Sequence, residues 1–205
     1  MVESLQTEIV GQSMNDSFAH WIMAVNFLRL TEGACGQLVA SNNAHFVIAD
    51  SPTDPSEYQQ ITMWSDHSIG VPILFNFFHG VELILKGFIS TASCVPAHHI
   101  LSKLHTEFEI LFPSTALGIT ISKFVRDIDP TSPLGRFNIA NGINIDSWYQ
   151  SLKYPRSTKG KIFTHVELQY GGTHTVDFWD SIKLGASSIR IEAVELARIN
   201  GCVQT

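Results

Sequence analysis

The sequence predicts a single, mostly α-helical domain that folds as an up-and-down bundle of about five helices. Apolar residues recur at helical spacing along most of its 205 residues, and one stretch, 72–89, is apolar almost all the way round. Hydrophobic residues make up 44% of the chain, enough for a large core, while charged residues make up only 16%. A chain with so few charges hides much of its surface, either in a thick core or against a partner, and we therefore expect a homodimer.

The first predicted helix begins near Ser13 and continues to about Val39, with an extension through Phe46 left open. Ser13 is a residue type that caps helix N-termini, and Asp16 would lie in the favourable first turn. The apolar side chains that follow at helical spacing are Phe18, Trp21, Val25, Leu28, Cys35 and Leu38. Residues 50–56, rich in Ser, Pro and Asp, are predicted to form a loop.

The second predicted helix, 72–89, is the clearest element of the chain. Pro72 suits its first turn, because the missing N–H would have no partner there in any case. The main apolar face fills nearly half of the helix circumference, and Leu83 and Phe75 widen it further. Only one narrow stripe is polar, and it consists of His79, Glu82 and Lys86. A helix this apolar is predicted to lie at the centre of the bundle, with neighbours on several sides.

Two shorter helices are predicted next, at 96–112 and 115–128, with Pro113 between them. The segment 129–145 is rich in Pro, Gly and Asn, which is typical of a loop. A short helix or turn is expected to follow around Trp148.

The C-terminal part begins with a weak alternation of apolar and polar residues, followed by a Gly-Gly pair, which leaves open a short β-hairpin near 161–176. We therefore expect residues 129–175 to form an irregular excursion from a single domain that spans 1–205. The last helix is predicted at Val176–Ile199, and Gly201 is placed to cap its C-terminal end.

Residues 72–89, with the sequence Pro-Ile-Leu-Phe-Asn-Phe-Phe-His-Gly-Val-Glu-Leu-Ile-Leu-Lys-Gly-Phe-Ile, resemble the second helix of HEPN domains. These are helical bundles of prokaryotic toxins, nucleotidyltransferase partners and related proteins. In that family the apolar helix carries a Glu and, four residues later, a Lys, which correspond here to Glu82 and Lys86. A loop, a His and a Leu-rich helix follow, as at His99, and an Arg/Lys-Tyr-Pro turn comes later, as at 153–156. The resemblance implies a HEPN-like bundle that dimerises and binds a ligand.

The ribonuclease members of that family share a further motif, in which an Arg and a polar residue are followed by a His a few positions later. No Arg of this chain has a His at that spacing, and the nearest case is His165, nine residues after Arg156. The resemblance therefore implies a member without the ribonuclease motif, and no residue is assigned a catalytic role. The alternative is a divergent ribonuclease in which His165 or His174 acts with Arg156 in acid–base chemistry.

The polar stripe of His79, Glu82 and Lys86 is the first candidate ligand site. Glu82 and Lys86 are spaced i,i+4 in the order that favours an ion pair. Charges on an apolar helix need partners, because an unpaired buried charge is costly. The stripe is therefore a solvated face, an ion pair that locks the bundle, or a polar site that faces a ligand or a second subunit.

Three histidines lie around the start of the third predicted helix. His98 and His105 are seven residues apart and share one flank, but zinc-chelating pairs are usually one helical turn apart. We predict no metal and no other cofactor. His99 is expected to form a local hydrogen bond, and the resemblance places it in the ligand site beside the polar stripe.

The segment 153–161 concentrates positive charge, since it contains four bases and no acid. Its candidate ligand-binding residues are Lys153, Tyr154, Arg156, Lys159 and Lys161. The cations could hold phosphate and the Tyr ring could stack on a base, whereas the alternative is a solvated basic loop.

The leading functional prediction is a non-catalytic HEPN-like binding module, homodimeric, that takes a nucleotide, RNA or a protein partner through the 153–161 segment and the polar stripe. A purely structural dimerisation scaffold is a further alternative. The net charge of −6 argues against non-specific nucleic-acid binding but allows a local basic site.

The sequence also predicts a cytoplasmic protein without membrane contact. The first residues do not follow the pattern of a signal peptide, and the apolar run at 69–78 is too short and too polar to span a bilayer. Cys35, Cys94 and Cys202 are scattered and odd in number, as expected of free thiols in a reducing compartment.

Overall fold

The computed structural model describes the backbone of residues 2–44 and 54–202 and their side chains from Ser17 onward. The protein is 71% helical, so the predicted mostly helical class is confirmed. The described part forms a helical bundle with more helices than the five or so predicted. Its α-helices are α1 (Val2–Ala40), α2 (Pro55–Thr62), α3 (Asp66–Ile89), α4 (Leu101–Leu111), α5 (Ala116–Val125), α6 (Pro133–Asn141), α7 (Trp148–Ser151), α8 (Val166–Gln169) and α9 (Val176–Ile199).

Helix α3 lies at the centre of the bundle, as its all-round apolar pattern predicts. Every residue from Gly80 to Ser90 is buried, including the charged ones. Helices α1 and α9 pack beside α3 and beside each other, while α4 and α8 contact α3 on other sides. The core is one continuous cluster whose largest buried side chains include Phe77, Phe78, Phe88, Trp148 and Trp179.

Two glycines let α1 approach α3 closely. A Cβ atom at Gly80 would lie 2.8 Å from the Leu28 side chain, and one at Gly87 would lie 2.4 Å from the indole nitrogen of Trp21. Gly80 and Gly87 are seven residues apart and so share one face of α3. The α1–α3 contact therefore depends on the absence of side chains at these two positions.

A buried carboxylate, Asp66, joins the end of α1, the start of α3 and the approach to α9. Its Oδ2 accepts hydrogen bonds from Asn43 Nδ2 at 2.8 Å, from the Gly171 N–H at 3.0 Å and from Thr175 Oγ1 at 3.2 Å. Asn43 Oδ1 in turn accepts a hydrogen bond from the Asp66 N–H at 2.7 Å. These bonds fix three distant parts of the chain at one end of the bundle.

The predicted starts of the first two long helices were wrong. Helix α3 begins at Asp66, so Pro72 lies inside the helix and its missing N–H leaves one internal hydrogen bond unmade. Helix α1 begins at Val2, which places Ser13 in its interior rather than at its cap. It ends at Ala40, before the left-handed Asn42 and Asn43, so the extension left open beyond Ala40 does not form in the described residues; Phe46 lies outside them.

The next two helices match their predictions at one end each. Helix α4 begins at Leu101 rather than at residue 96, because residues 94–100 have an irregular, non-helical backbone. It ends before Pro113 as predicted. Helix α5 starts as predicted, with Thr115 Oγ1 accepting a hydrogen bond from the Gly118 N–H at 3.1 Å, but it ends three residues early, at Val125.

The region predicted as a loop at 129–145 contains helix α6. Ser132 caps this helix by accepting a hydrogen bond from the Gly135 N–H, Pro133 occupies its first turn, and the left-handed Gly142 ends it. The predicted short helix around Trp148 is present as α7.

The hairpin left open near 161–176 does not form, and the described residues contain no β-strand. An isolated antiparallel bridge joins Arg156 to Ile162. Alternate positions do not share one buried face, because Phe163 and Leu168 are buried whereas Val166 and Tyr170 are exposed. The chain instead turns into the short helix α8.

The last helix, α9, has the predicted bounds of Val176–Ile199. Gly201 adopts a left-handed φ of 68° just beyond its end, and its N–H bonds to the Arg198 carbonyl. The Cys202 N–H bonds back to the Ala197 carbonyl, which completes a Schellman cap.

One stretch of the described chain, Pro55–Ile89, is long and apolar enough to cross a membrane, judged by length and composition alone. Its most apolar window is 61% buried inside the protein. The central helix of a bundle passes the same test, so this is weak support for a membrane span, and the cytoplasmic location stays a prediction.

Candidate functional site

The polar stripe of α3 is almost entirely buried. Glu82 is 1% exposed and Lys86 is 7% exposed, and Lys86 Nζ lies 2.7 Å from Glu82 Oε1. The predicted i,i+4 ion pair is therefore present, but it lies within the protein rather than on an open surface. Neither side chain can contact a large ligand directly.

The charge of Glu82 is held by its neighbours. Burial by itself would raise the pKa of this carboxyl group, but contacts with His79, Lys86 and His99 outweigh that effect and lower the pKa to about 2. Glu82 is therefore ionised throughout the physiological range. A buried carboxylate that stays charged can fix the orientation of the groups around it.

His79 approaches Glu82 without completing a hydrogen bond. Its Nδ1 lies 3.7 Å from Glu82 Oε2, and both atoms are buried and have no hydrogen bond within the described residues. The ring is half-buried among Phe27, Phe75 and Trp148, whose ring centroids lie 4.6, 5.8 and 6.3 Å away. His79 is thus the residue of the stripe that packs among aromatic rings of α1, α3 and α7.

His99 connects the buried stripe to the surface. Its Nδ1 lies 2.8 Å from Glu82 Oε1, and its side chain is 45% exposed. An ionised carboxylate can only accept a hydrogen bond, so Nδ1 carries a proton and donates to Glu82, while Nε2 lies on the other side of the ring. The backbone supports this position, because the Trp148 indole N–H donates to the His99 carbonyl at 3.2 Å.

Tyr149 links the two regions that the sequence identifies separately. Its ring stacks on His99, with centroids 4.3 Å apart and planes 10° apart. On α7 and the turn that follows, Lys153 Nζ donates to Tyr149 Oη at 3.1 Å and lies 4.7 Å from the centre of the Tyr149 ring. Lys153 Nζ also lies 5.3 Å from the centre of the Tyr154 ring. The polar stripe and the 153–161 segment are therefore neighbours.

The pKa of Lys153 is raised, first by its hydrogen bond to Tyr149 and then by its interaction with Tyr154. The ammonium group therefore keeps its charge beside two rings, an arrangement that cation–π attraction also favours. Sequence reasoning missed Tyr149 as a site residue. Two features of the sequence could have identified it. Tyr149 lies four residues before Lys153, so the two can meet on one helical face, and it directly follows the buried Trp148.

The rest of the basic segment forms a tight surface turn. The Ser157 N–H bonds to the Lys161 carbonyl at 2.8 Å. Lys161 Nζ is bonded to the Asn141 carbonyl, so this cation is committed to the fold. Arg156 and Lys159 are exposed and make no side-chain hydrogen bond or ion pair with any described residue. These two cations are available to a ligand.

The other two histidines near the start of α4, His98 and His105, contact partners outside the polar stripe. The buried His105 donates from Nε2 to the Gly118 carbonyl at 2.9 Å, and His98 lies 3.5 Å from Glu107. The described residues contain no group of three or more His, Cys, Asp or Glu side chains arranged to hold a metal ion.

The pair considered for the divergent ribonuclease is not assembled as a site. His165 Nε2 lies 2.6 Å from the Ser151 carbonyl, and its ring stacks on Phe137 with centroids 5.3 Å apart. His174 is exposed in the 3₁₀ turn before α9. In the described part of the chain, no hydrogen bond or ion pair joins either histidine to Arg156.

The surface that emerges consists of His99, Tyr149, Lys153, Tyr154, Arg156 and Lys159, and we call it the aromatic–basic surface. It combines stacked rings, one cation held against them and two uncommitted cations, with the buried Glu82 behind. The resemblance to HEPN domains rests on the sequence motifs alone. No protein-family model, no curated protein and no solved structure matches this chain.

Proposed function

We propose that this chain is a non-catalytic, HEPN-like binding module that takes nucleotide units of single-stranded RNA on the aromatic–basic surface. The observation that carries the proposal is the chain of contacts from Glu82 through His99 and Tyr149 to Lys153. It holds two rings and a cation in fixed positions at the protein surface. Groups held in place before binding lose little conformational entropy when a ligand arrives.

Each part of this surface suits a different part of a nucleotide. Tyr154 is 48% exposed and offers a ring on which a base can stack. Arg156 and Lys159 are free to pair with phosphate oxygens, and Arg can do so through two parallel hydrogen bonds. His99 Nε2 can form a hydrogen bond with a ribose hydroxyl, which DNA lacks at the 2′ position.

Glu82 and Lys86 act indirectly in this proposal. They are too deeply buried to contact RNA, so their role is to position His99 and to keep its Nδ1 protonated. This differs from the prediction that the polar stripe itself contacts the ligand.

The test is fluorescence anisotropy of a labelled single-stranded RNA with the wild-type chain and a Lys153→Glu/Arg156→Glu double variant. We expect the double variant to bind much more weakly. We also expect it to reduce the slope of log affinity against log salt by at least about 0.7, because the phosphate contact of Arg156 is lost and each contact with a single strand contributes about 0.7 to the slope. Tyr154→Ala should weaken binding by roughly fivefold to 150-fold, since one stacked base contributes about 1–3 kcal/mol.

The matched control is Lys103→Glu/Lys123→Glu, which changes the net charge equally at two exposed lysines on α4 and α5. It should leave RNA affinity close to that of the wild type. If both double variants weaken binding equally, the attraction is a general charge effect and the site assignment fails. If neither the wild type nor any variant binds RNA, the proposal itself is wrong.

The rival ribonuclease predicts a measurable activity. A clean preparation should leave a mixed RNA pool intact, as should a His165→Ala variant. Cleavage by the wild type that is lost in His165→Ala would overturn the non-catalytic assignment. The homodimer is also part of the proposal, and light scattering at several concentrations tests it.

A further inference from the structure

An apolar groove runs along the outside of the bundle between α1, α3 and α9, and none of its lining residues belongs to the aromatic–basic surface. Its volume is 320 Å³, within the range of small-molecule sites. Apolar residues dominate its lining, among them Phe18, Trp21, Ile22, Val25, Ile84 and Val194. Phe18, Ile22 and Val194 are exposed, so the groove opens to solvent.

The polar groups of the groove lie toward one end. Asn26 and Arg29 also line it, and both are exposed side chains of α1. Arg29 follows the apolar positions along the helix, so the distance from Phe18 to Arg29 is about 16 Å at 1.5 Å per residue. The groove therefore has an apolar end near Phe18 and a cationic end near Arg29.

Arg29 is an exposed cation in the lining of the groove. Its guanidinium makes no hydrogen bond or ion pair with any described residue. The acid one turn further along α1, Glu32, is already engaged, because its Oε2 lies 3.2 Å from Arg190 Nη2 on α9. A cation without a partner at the end of an apolar groove is complementary to a ligand with one negative group and an apolar body.

We propose that this groove binds an amphipathic carboxylate, with the acyl chain along α1 and the carboxylate on Arg29. A guanidinium can hold a carboxylate by two parallel hydrogen bonds, and Asn26 can donate a third. A second copy of the chain fits the groove less well, because it would add another unpaired Arg29 while the nearby Glu32 is already engaged. The site is independent of the proposed RNA surface.

The test is isothermal titration calorimetry with decanoate, decan-1-ol and decyltrimethylammonium, each below its micellar concentration. Decanoate should bind saturably with one site per chain, and more tightly than either of the other two ligands. Arg29→Gln should weaken decanoate binding by at least about tenfold and leave decanol binding unchanged, because a charge-assisted hydrogen bond is lost. Val194→Trp should abolish binding by filling the groove.

Two matched controls separate this site from general effects. Lys123→Gln removes one positive charge from an exposed position on α5, and Leu184→Trp adds an indole at an exposed position of α9 outside the groove lining. Both should bind decanoate like the wild type, and circular dichroism should show that all four variants are folded.

Three results would overturn the proposal. Decanol could bind as tightly as decanoate, which would remove the role of Arg29. The wild type could show no saturable binding of decanoate. Finally, light scattering could show a dimer that Ile22→Glu dissociates, in which case a second copy of the chain covers this face.

Discussion

The imidazole of His99 lies flat against the ring of Tyr149, with ring centroids 4.3 Å apart and planes 10° apart. Tyr149 contributes both a stacking face for His99 and, through its hydroxyl, a hydrogen-bond acceptor for Lys153. Tyr149→Phe keeps the stack and removes the hydrogen bond, whereas Tyr149→Ala removes both. If the stack matters, RNA affinity should fall about fivefold in Tyr149→Ala, corresponding to about 1 kcal/mol for an aromatic pair, and clearly less in Tyr149→Phe.

The same two variants can be checked without RNA. Nitrogen-15 NMR of the His99 ring reports which nitrogen carries the proton, and Tyr149→Phe should leave Nδ1 protonated as in the wild type. A ring whose Nδ1 lacks the proton in the wild type would contradict the hydrogen bond to Glu82, whatever the RNA result.

The buried ion pair gives a second prediction. Glu82→Gln leaves the Lys86 charge buried without a counter-charge, so we expect the free energy of unfolding to fall by roughly 3 to 5 kcal/mol. Glu82→Gln/Lys86→Met removes both charges and should recover a substantial part of that loss. Urea denaturation of the wild type and both variants measures the difference. A double variant no more stable than the single variant would show that the paired charge is not the cause.

Acid should destabilise the protein through Glu82. The pKa of this group is about 2 in the folded protein against an ordinary value of 4.5, so unfolding takes up a proton when the pH lies between these values. The stabilisation is complete above about pH 5, is lost progressively as the pH falls toward 2, and amounts to about 3 kcal/mol. The urea midpoint of the wild type should therefore fall more steeply between pH 6 and pH 3 than that of Glu82→Gln. Parallel curves would contradict the lowered pKa.

The close contact between α1 and α3 gives a fourth prediction, with a control within the same pair of helices. Gly87→Ala places a methyl group 2.4 Å from the Trp21 indole nitrogen, and we expect a net loss of about 1–3 kcal/mol in unfolding free energy. Gly33→Ala on α1 meets no atom within 4 Å and should stabilise the protein by up to about 1 kcal/mol. Thermal unfolding measures both, and equal effects of the two substitutions would contradict the packing argument.

The helical elements that the sequence predicts well are those whose signals are local. Helix α9 has a continuous apolar seam and a glycine just past its end, and both of its bounds were predicted correctly. Helix α6 was missed, although Ser132, Pro133 and Gly142 are the expected start and stop residues, because the same Pro, Gly and Asn content is typical of loops. In that segment the order of these residues carries more information than their number.

The candidate site was predicted in pieces. The i,i+4 spacing of Glu82 and Lys86 predicts their ion pair, since both lie on one helix. Periodicity does not reveal that residues 94–100 bring His99 onto Glu82, or that α7 places Tyr149 between His99 and Lys153. These contacts depend on how separate segments pack. The same packing buries Glu82 and Lys86, although the sequence alone allows their stripe to face solvent.

The hydrogen bonds at Asp66 have a consequence for how the chain folds. Asn43 and Thr175 are 132 residues apart, and their side chains meet at 2.9 Å beside the Asp66 carboxylate. Helices α1 and α9 also pack against each other, so during synthesis α1 acquires one of its main partners only when α9 has been made. Such a contact requires closure of a loop of 132 residues, which slows folding relative to bundles that pair neighbouring helices. A chain truncated before Thr175 would lack both the Thr175 contact and the packing of α9 against α1. During synthesis, the apolar faces of α1 and α3 therefore have to shield each other until α9 is made.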